Sequence, residues 1–85
     1  MPSAGHKPLS EMKPGEEVLI TELTIQGTMR RRLLDLGFIP GATVKMLRKS
    51  PLGDPAAFLV NRTVIALRQE ESSQIFGIPT NQESG

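Results

Sequence analysis

The side chains that could carry out acid–base, nucleophilic or metal chemistry are few in this sequence and widely spaced. The chain has no cysteine and one histidine, His6, which lies in a segment rich in proline and glycine. A stable transition-metal site needs several converging ligands. We therefore predict no tight metal site, and carboxylates would have to complete even a weak one at His6. The sequence has no glycine-rich phosphate loop and no catalytic triad pattern, so it predicts a protein that is not an enzyme and requires no cofactor.

The densest charge in the sequence is a run of three arginines at residues 30–32. Runs of this kind occur in nucleic-acid-binding proteins, and Lys45, Arg48 and Lys49 could extend the basic surface. The overall charge is only +1, however. No aromatic residues accompany the arginines, so this segment would be a poor platform for stacking bases. A solvated helix face and an acidic protein partner are the other interpretations, and all three stay open.

The length and composition of the chain limit what it can form. Its 85 residues suffice for one small domain. No apolar run approaches the roughly 20 residues that span a bilayer, and the first residues lack the apolar segment of a secretory signal. We expect no direct membrane insertion, so any role at a membrane must act through a partner.

The spacing of apolar residues predicts four strands and one main helix. The predicted strands are EEVLITEL (16–23), TVKMLRKS (43–50), AAFLVN (56–61) and TVIALR (63–68). The predicted helix is IQGTMRRRLLDLG (25–37), in which Met29, Leu33 and Leu36 form one apolar stripe. The segment EESSQIF (70–76) reads as a short helical turn, and the residues after it read as a polar tail.

Glycine and proline mark two turns whose backbone geometry the sequence specifies. Gly37 follows the last apolar residue of the helix, where a glycine with positive φ ends a helix. Pro40 and Gly41 then form the signature of a type II turn. We assign all three residues a structural role.

The loop PLGDP (51–55) is a turn by composition, but turn formation does not account for Leu52. That side chain either packs inward or contributes to an interface, and both alternatives stay open. Loops on rigid scaffolds are common places for recognition.

The order of elements predicts the fold: a strand, a helix, then three strands joined by short turns. A small, mainly β domain of this kind suggests an SH3-like β-barrel with a helix inserted between the first two strands. Closure of the barrel is expected because an open sheet would leave two edges to protect. The expected organisation is an N-terminal tail at residues 1–8, the barrel at 9–76 and a C-terminal tail at 77–85.

The segment RRRLLDLGFIPGATVKMLRKSPLGDPAAFLV (30–60), followed by IALRQEES (65–72), resembles the FeoA family. The shared pattern is a helix ending in RLLDLGF, a PG turn, a strand, a PLGDP loop and a hairpin ending in ALR. The resemblance covers residues 9–75. One departure is the last hairpin turn, where the family commonly has glycine and this chain has Asn61 and Arg62.

This resemblance implies a small cytoplasmic accessory protein of bacterial ferrous iron transport, built on an SH3-like barrel. It implies contact with the cytoplasmic GTPase-bearing part of the transporter FeoB, and weak binding of Fe²⁺ or another divalent metal would fit that setting. For the contact we select Leu52, Gly53 and Asp54 in the loop, with Arg30 and Arg31 on the helix. We expect mostly monomer with weak self-association and no nucleic-acid binding. A basic nucleic-acid-binding barrel and a divalent transition-metal-sensing domain stay open as alternatives.

Overall fold

The computed structural model describes residues 6–80. In it the chain forms six strands, two α-helices and one 3₁₀ helix. The elements in chain order are β1 (Lys7–Pro8), a 3₁₀ helix (Leu9–Glu11), β2 (Glu17–Leu23), α1 (Gly27–Leu36), β3 (Thr43–Lys49), β4 (Ala56–Val60), β5 (Thr63–Leu67), α2 (Gln69–Ser72) and β6 (Ile75–Pro79). Among these residues no helix has both the length and the apolar character needed to cross a membrane.

All six strands belong to one antiparallel sheet with the order β1-β6-β2-β3-β4-β5. Within residues 6–80 no pairing joins β1 to β5, so the prediction of a closed barrel is wrong. The chain turns into the 3₁₀ helix directly after β1 and into α2 soon after β5. These two helices contact each other. Because β1 precedes β2, helix α1 lies between the second and third strands rather than between the first two.

The core lies on one side of the sheet and is supplied by alternate residues of the strands. In β4 the side chains of Phe58 and Val60 are buried, as are Val44 and Met46 in β3. This is the two-residue period expected for strands with one covered face. Full burial of an aliphatic or aromatic side chain contributes about 1.5–3 kcal/mol, so these positions account for much of the stability of so small a domain.

Two strands carry irregularities that change their direction. The register of β2 against β6 shifts between Ile20 and Glu22, and that of β3 against β4 shifts between Met46 and Arg48. A bulge inserts one residue and increases the local bend and twist of its strand. The first part of β2 therefore pairs with both β3 and β6, whereas its last part pairs with β6 alone.

Helix α1 ends as its sequence predicts. Gly37 has φ 114°, and its N–H donates to the carbonyl of Leu34 at 3.1 Å. The N–H of Phe38 reaches back to the carbonyl of Leu33 at 3.0 Å, which places the Phe38 ring in the core. This pairing of a left-handed glycine with a buried next residue is a common way to end a helix.

The last strand differs from the sequence prediction, which treats residues 70–76 as a helical turn and 77–85 as a tail. Here α2 ends at Ser72, and β6 then pairs with β2 on one side and β1 on the other. Gly77 and Pro79 are poor strand formers, so the sequence of this segment shows no clear strand pattern. Pairing with two neighbours outweighs their local preference. The structured part of the chain therefore extends past the predicted boundary at residue 76.

Gly77 is required by the close approach of β6 to β2. A Cβ atom at this position would lie 2.5 Å from the carbonyl oxygen of Leu19 and 3.0 Å from Cγ2 of Val18. The first distance is shorter than real side chains show. Gly77, which the sequence prediction places in a polar tail, is therefore tightly packed within the sheet.

The N-terminal boundary also moves, because Lys7 and Pro8 form β1 and pair with Gly77 and Phe76. The Lys7 ammonium donates to the Glu16 carboxylate at 2.9 Å, joining β1 to the turn before β2. Partial burial by itself raises the pKa of Glu16. The hydrogen bonds from the Lys7 ammonium and the Lys13 backbone N–H, together with the charges of both lysines, lower the pKa by more than burial raises it. The pKa of Glu16 therefore lies below its ordinary value.

Candidate partner-binding site

The loop at residues 51–55 joins β3 to β4 and projects from the sheet, with every residue exposed. The Leu52 side chain at its tip is 92% exposed. The alternative that Leu52 packs onto the core is therefore wrong. A large aliphatic side chain that is almost completely in water makes no contribution to the core of this domain.

The backbone of this loop is held in place at its base. The Ser50 N–H donates to the carbonyl of Pro55 at 3.1 Å, and the Gly53 N–H donates to the carbonyl of Ser50 at 2.8 Å. Gly53 has φ 87°, a conformation that glycine adopts without steric cost. Leu52 is thus carried by a short, hydrogen-bonded turn with a proline on its N-terminal side.

Asp54 ties the same loop to the second helix. Its carboxylate accepts a hydrogen bond from the Gln69 backbone N–H at 2.9 Å, across 15 positions of sequence. The first N–H groups of a helix have no partner within the helix, and an aspartate supplies one. Asp54 was selected as a partner-binding candidate, and the structure gives it this positioning contact.

A cleft of about 240 Å³ lies beside the loop. Its inner wall is formed by buried apolar side chains, among them Met46, Phe58 and Leu67. Leu52 and Lys49 stand at its exposed margin. Because Met46 and Phe58 are fully buried, the surface that the cleft presents is more polar than apolar, and the cleft offers little apolar contact beside Leu52.

The two helix arginines of the predicted site have different environments. Arg30 is half-buried, and its Nη1 donates to the carbonyl of Leu23 at the end of β2 at 2.9 Å. Arg31 and Arg32 are exposed. Arg30 therefore holds α1 against the sheet, and Arg31 is the better placed of the two candidates to meet a partner.

The turn between α1 and β3 has the geometry that its sequence specifies. Gly41 has φ 96°, and the Ala42 N–H donates to the carbonyl of Ile39 at 3.0 Å across Pro40 and Gly41. Gly41 also donates to the carbonyl of Ile20 at 2.8 Å, which fixes the turn to β2. The fold therefore uses Gly37, Pro40 and Gly41 to form turns, which is the structural role that the sequence predicts for them.

His6 does not belong to a cluster of metal-ligating side chains. Among residues 6–80 there is no group of three or more histidine, cysteine, aspartate or glutamate side chains that could hold a metal ion.

The family of the chain follows from a match over almost all the residues that the structure describes. Residues 7–79 match the family model described as the FeoA domain. The chain belongs to the FeoA family. The match begins at β1 and ends at β6, so it includes the two strands that lie outside the predicted boundaries.

Relatives of this FeoA-family chain include both separate proteins and one fusion. It is 31% identical over 67 residues to the Fe(2+) transport protein A/Fe(2+) transporter FeoB fusion protein of Porphyromonas gingivalis. That match spans 79% of this chain but only 8% of the fusion protein. The solution structure of the FeoA protein from Chlorobium tepidum is 37% identical with a TM-score of 0.81, covering 91% of this chain and 74% of that one.

A third relative supports the SH3-like description of the fold. The crystal structure of Stenotrophomonas maltophilia FeoA complexed with zinc is 28% identical with a TM-score of 0.72, covering 86% of this chain and 88% of that one. That protein is described as a prokaryotic SH3 domain protein and a candidate ferrous iron transport activating factor. The domain described here is thus an SH3-like fold whose sheet remains open.

Proposed function

We propose that this chain is a non-enzymatic accessory protein of bacterial ferrous iron transport, which acts by contact with the cytoplasmic GTPase-bearing part of FeoB. The observation that carries the proposal is the fusion relative, in which a segment similar to this chain and FeoB form one polypeptide. Covalent linkage raises the effective concentration of two modules that bind each other. Without such a linkage, the two modules would have to associate through their surfaces.

The exposed Leu52 tip supports the loop at residues 51–55 as the contacting surface. Its side chain is 92% exposed while its backbone is fixed by the hydrogen bonds of Ser50 and Gly53. A rigid apolar group loses little conformational entropy on docking, and binding energy concentrates in a few anchors of this kind.

Arg31 supports a partner surface of negative charge. It is exposed on α1, and exposed charges act on the association rate and on its salt dependence more than on the final affinity. Arg30 is tied to Leu23, so replacing it would also disturb the packing of α1. Steering is therefore tested with Arg31→Ala alone.

The experiment is a titration of the isotope-labelled full chain with the purified cytoplasmic portion of FeoB, followed by NMR and calorimetry. We expect Leu52→Glu to leave a folded domain and to weaken binding by roughly 1–3 kcal/mol, the usual effect of losing one anchor. The matched control is Leu52→Met, which keeps an apolar side chain of similar volume and should bind within a few-fold of the parent.

Each outcome of this titration has a distinct meaning. A parent chain that does not bind the FeoB portion would refute the proposed function. Equal affinities of Leu52→Glu and the parent would place recognition on another surface. Binding to a DNA duplex with a steep salt dependence, in the absence of FeoB binding, would favour the nucleic-acid alternative.

A further inference from the structure

The two edges of the sheet differ in how well they are protected from pairing with another chain. Strand β1 has only two residues, contains a proline, and its Lys7 is bound to Glu16. Short edge strands, proline and charge all prevent strand addition. Strand β5 has five residues, reads TVIAL, and contains no charge, proline or glycine. Only the β5 edge is therefore suited to accept a further strand.

The register of the β4–β5 hairpin shows which backbone groups of β5 are available. Asn61 and Arg62 both have positive φ and form a two-residue turn, flanked by the pair Val60 and Thr63. Hydrogen-bonded and non-hydrogen-bonded pairs alternate from such a turn. Val64 and Ala66 are consequently the residues whose N–H and C=O groups point away from β4. Within residues 6–80, β4 is the one strand that pairs with β5.

The side chains beside this edge form a small apolar strip on the outer face of the sheet. Val64 is 60% exposed, and it lies opposite Leu59 of β4. Ala66 is exposed and lies opposite Ala57. A strand added to β5 would place every second side chain beside Val64 and Ala66, so small or β-branched apolar residues would fit there.

Basic residues lie around this strip. Arg62 and Arg68 are exposed immediately before and after β5. Lys45 and Arg48 of β3 are exposed and lie opposite Leu59 and Ala57 in the β3–β4 register. Two acids follow Arg68 in the sequence: Glu70 is exposed, and Glu71 accepts a hydrogen bond from the Arg68 backbone N–H. The ion pair found among residues 6–80 joins Lys7 to Glu16, far from β5 in the sheet order.

These charges decide what can occupy the edge. Full antiparallel pairing of β5 with β5 of a second copy would centre on Ile65 and set Arg62 opposite Arg68 at both ends. Like charges directly opposite each other destabilise a strand pair, so a second copy is disfavoured. An extended segment with an acidic residue at each end would instead meet an arginine at each end.

We infer that the outer edge of β5 is a docking site for an extended segment of a partner protein, with small or β-branched residues at its centre and an acidic residue at each end. Residues 62–68 span about 20 Å in extended conformation, which sets the segment at seven residues. Strand addition of this kind draws its affinity from main-chain hydrogen bonds and its specificity from the alternate side chains. The site is separate from the Leu52 loop.

The probe for this site is the capped heptapeptide acetyl-ETVTVTE-amide, added to the full isotope-labelled chain. We expect the amide signals of Val64 and Ala66 to shift and their hydrogen exchange to slow. The control peptide is acetyl-KTVTVTK-amide, which has the same central residues. It should bind roughly tenfold more weakly at low salt, because two favourable charge pairs become repulsive.

A charge-reversal variant completes the test. Arg62→Glu/Arg68→Glu should invert the preference, so that the lysine peptide binds better than the glutamate peptide. Ala66→Pro removes one outward N–H without touching the ladder to β4, and it should weaken both peptides equally. If this proline variant does not fold, the charge-reversal variant decides the question, since both arginines are exposed.

Three results would overturn the inference. One is equal binding of the two peptides, and another is a set of shifted signals that excludes β5. The third is a change at Val64 and Ala66 that depends on protein concentration without peptide, which would mean self-pairing. Because FeoB takes no part in this experiment, its failure would leave the proposed function untouched.

Discussion

Gly77→Ala tests whether the close contact between β6 and β2 limits the stability of the domain. The added Cβ would lie 2.5 Å from the carbonyl oxygen of Leu19, so the two strands would have to separate locally by roughly 0.5 Å to reach even 3.0 Å. Gly77 has no positive φ to complicate the substitution. The steric contact is therefore the main native-state cost of the change.

The expected magnitude combines two opposing effects. Overpacking a well-packed site costs about 1–3 kcal/mol, and alanine recovers about 0.5–1 kcal/mol because it restricts the unfolded chain more than glycine does. The net loss is about 0–2.5 kcal/mol, with a midpoint of about 1.3 kcal/mol. In a domain of this size each kcal/mol lowers the melting temperature by about 4–8 °C, so we expect a decrease of about 5–10 °C at the midpoint.

The assay is thermal and urea unfolding followed by circular dichroism, with an NMR spectrum to show that the fold is retained. A matched cycle adds Val18→Ala alone and in combination, because Cγ2 of Val18 is the second contact at 3.0 Å. Trimming that side chain should not rescue Gly77→Ala, since the shorter contact is to backbone. An unchanged melting temperature, or full rescue by Val18→Ala, would refute the reasoning.

Three further predictions concern residues that fix turns and ends. Gly37→Val should cost roughly 1–3 kcal/mol, because φ is 114° and the new Cβ would lie 3.3 Å from Cβ of Asn61; an unchanged melting temperature would contradict this. Asp54→Ala should lower the free energy of unfolding by about 0.5–1 kcal/mol, because it removes the acceptor for the Gln69 N–H. Asp54→Asn should lower it less. Equal stability of the parent and both variants would count against a capping role. The lowered pKa of Glu16 contributes stability that is present above the ordinary glutamate pKa and is lost as the pH falls through the pKa of the folded state. The urea midpoint of Glu16→Gln should therefore fall less than that of the parent over this acidic range. Parallel pH profiles of the two chains would contradict this prediction.

Much of the local structure could be predicted from the sequence because short-range chemistry determines it. Val18 and Ile20 alternate with less buried residues along one strand, and both are buried. Gly37 and the Asn61 turn adopt the left-handed conformations that their residue types favour. The prediction of an adaptor rather than an enzyme came from the few reactive side chains and from the family resemblance.

The long-range pairings could not be predicted in this way. β6 was missed because Gly77 and Pro79 weaken the local strand signal, yet β6 pairs with β2 more than 50 residues earlier. The contact of Arg30 with Leu23 and that of Asp54 with Gln69 also join separate elements. No spacing rule within one element points to either contact.

The sequence by itself determined the family, through a set of motifs in a fixed order along the chain. It also determined the alternating core and the turns, since these depend on residues within a few positions of one another. Only the tertiary structure decided that Leu52 faces water and that, among residues 6–80, β1 does not pair with β5 and β4 is the one strand paired with β5. The pairings depend on which strands become neighbours. Pairing across long loops is set by the fit of the whole core, which no single segment of the sequence encodes.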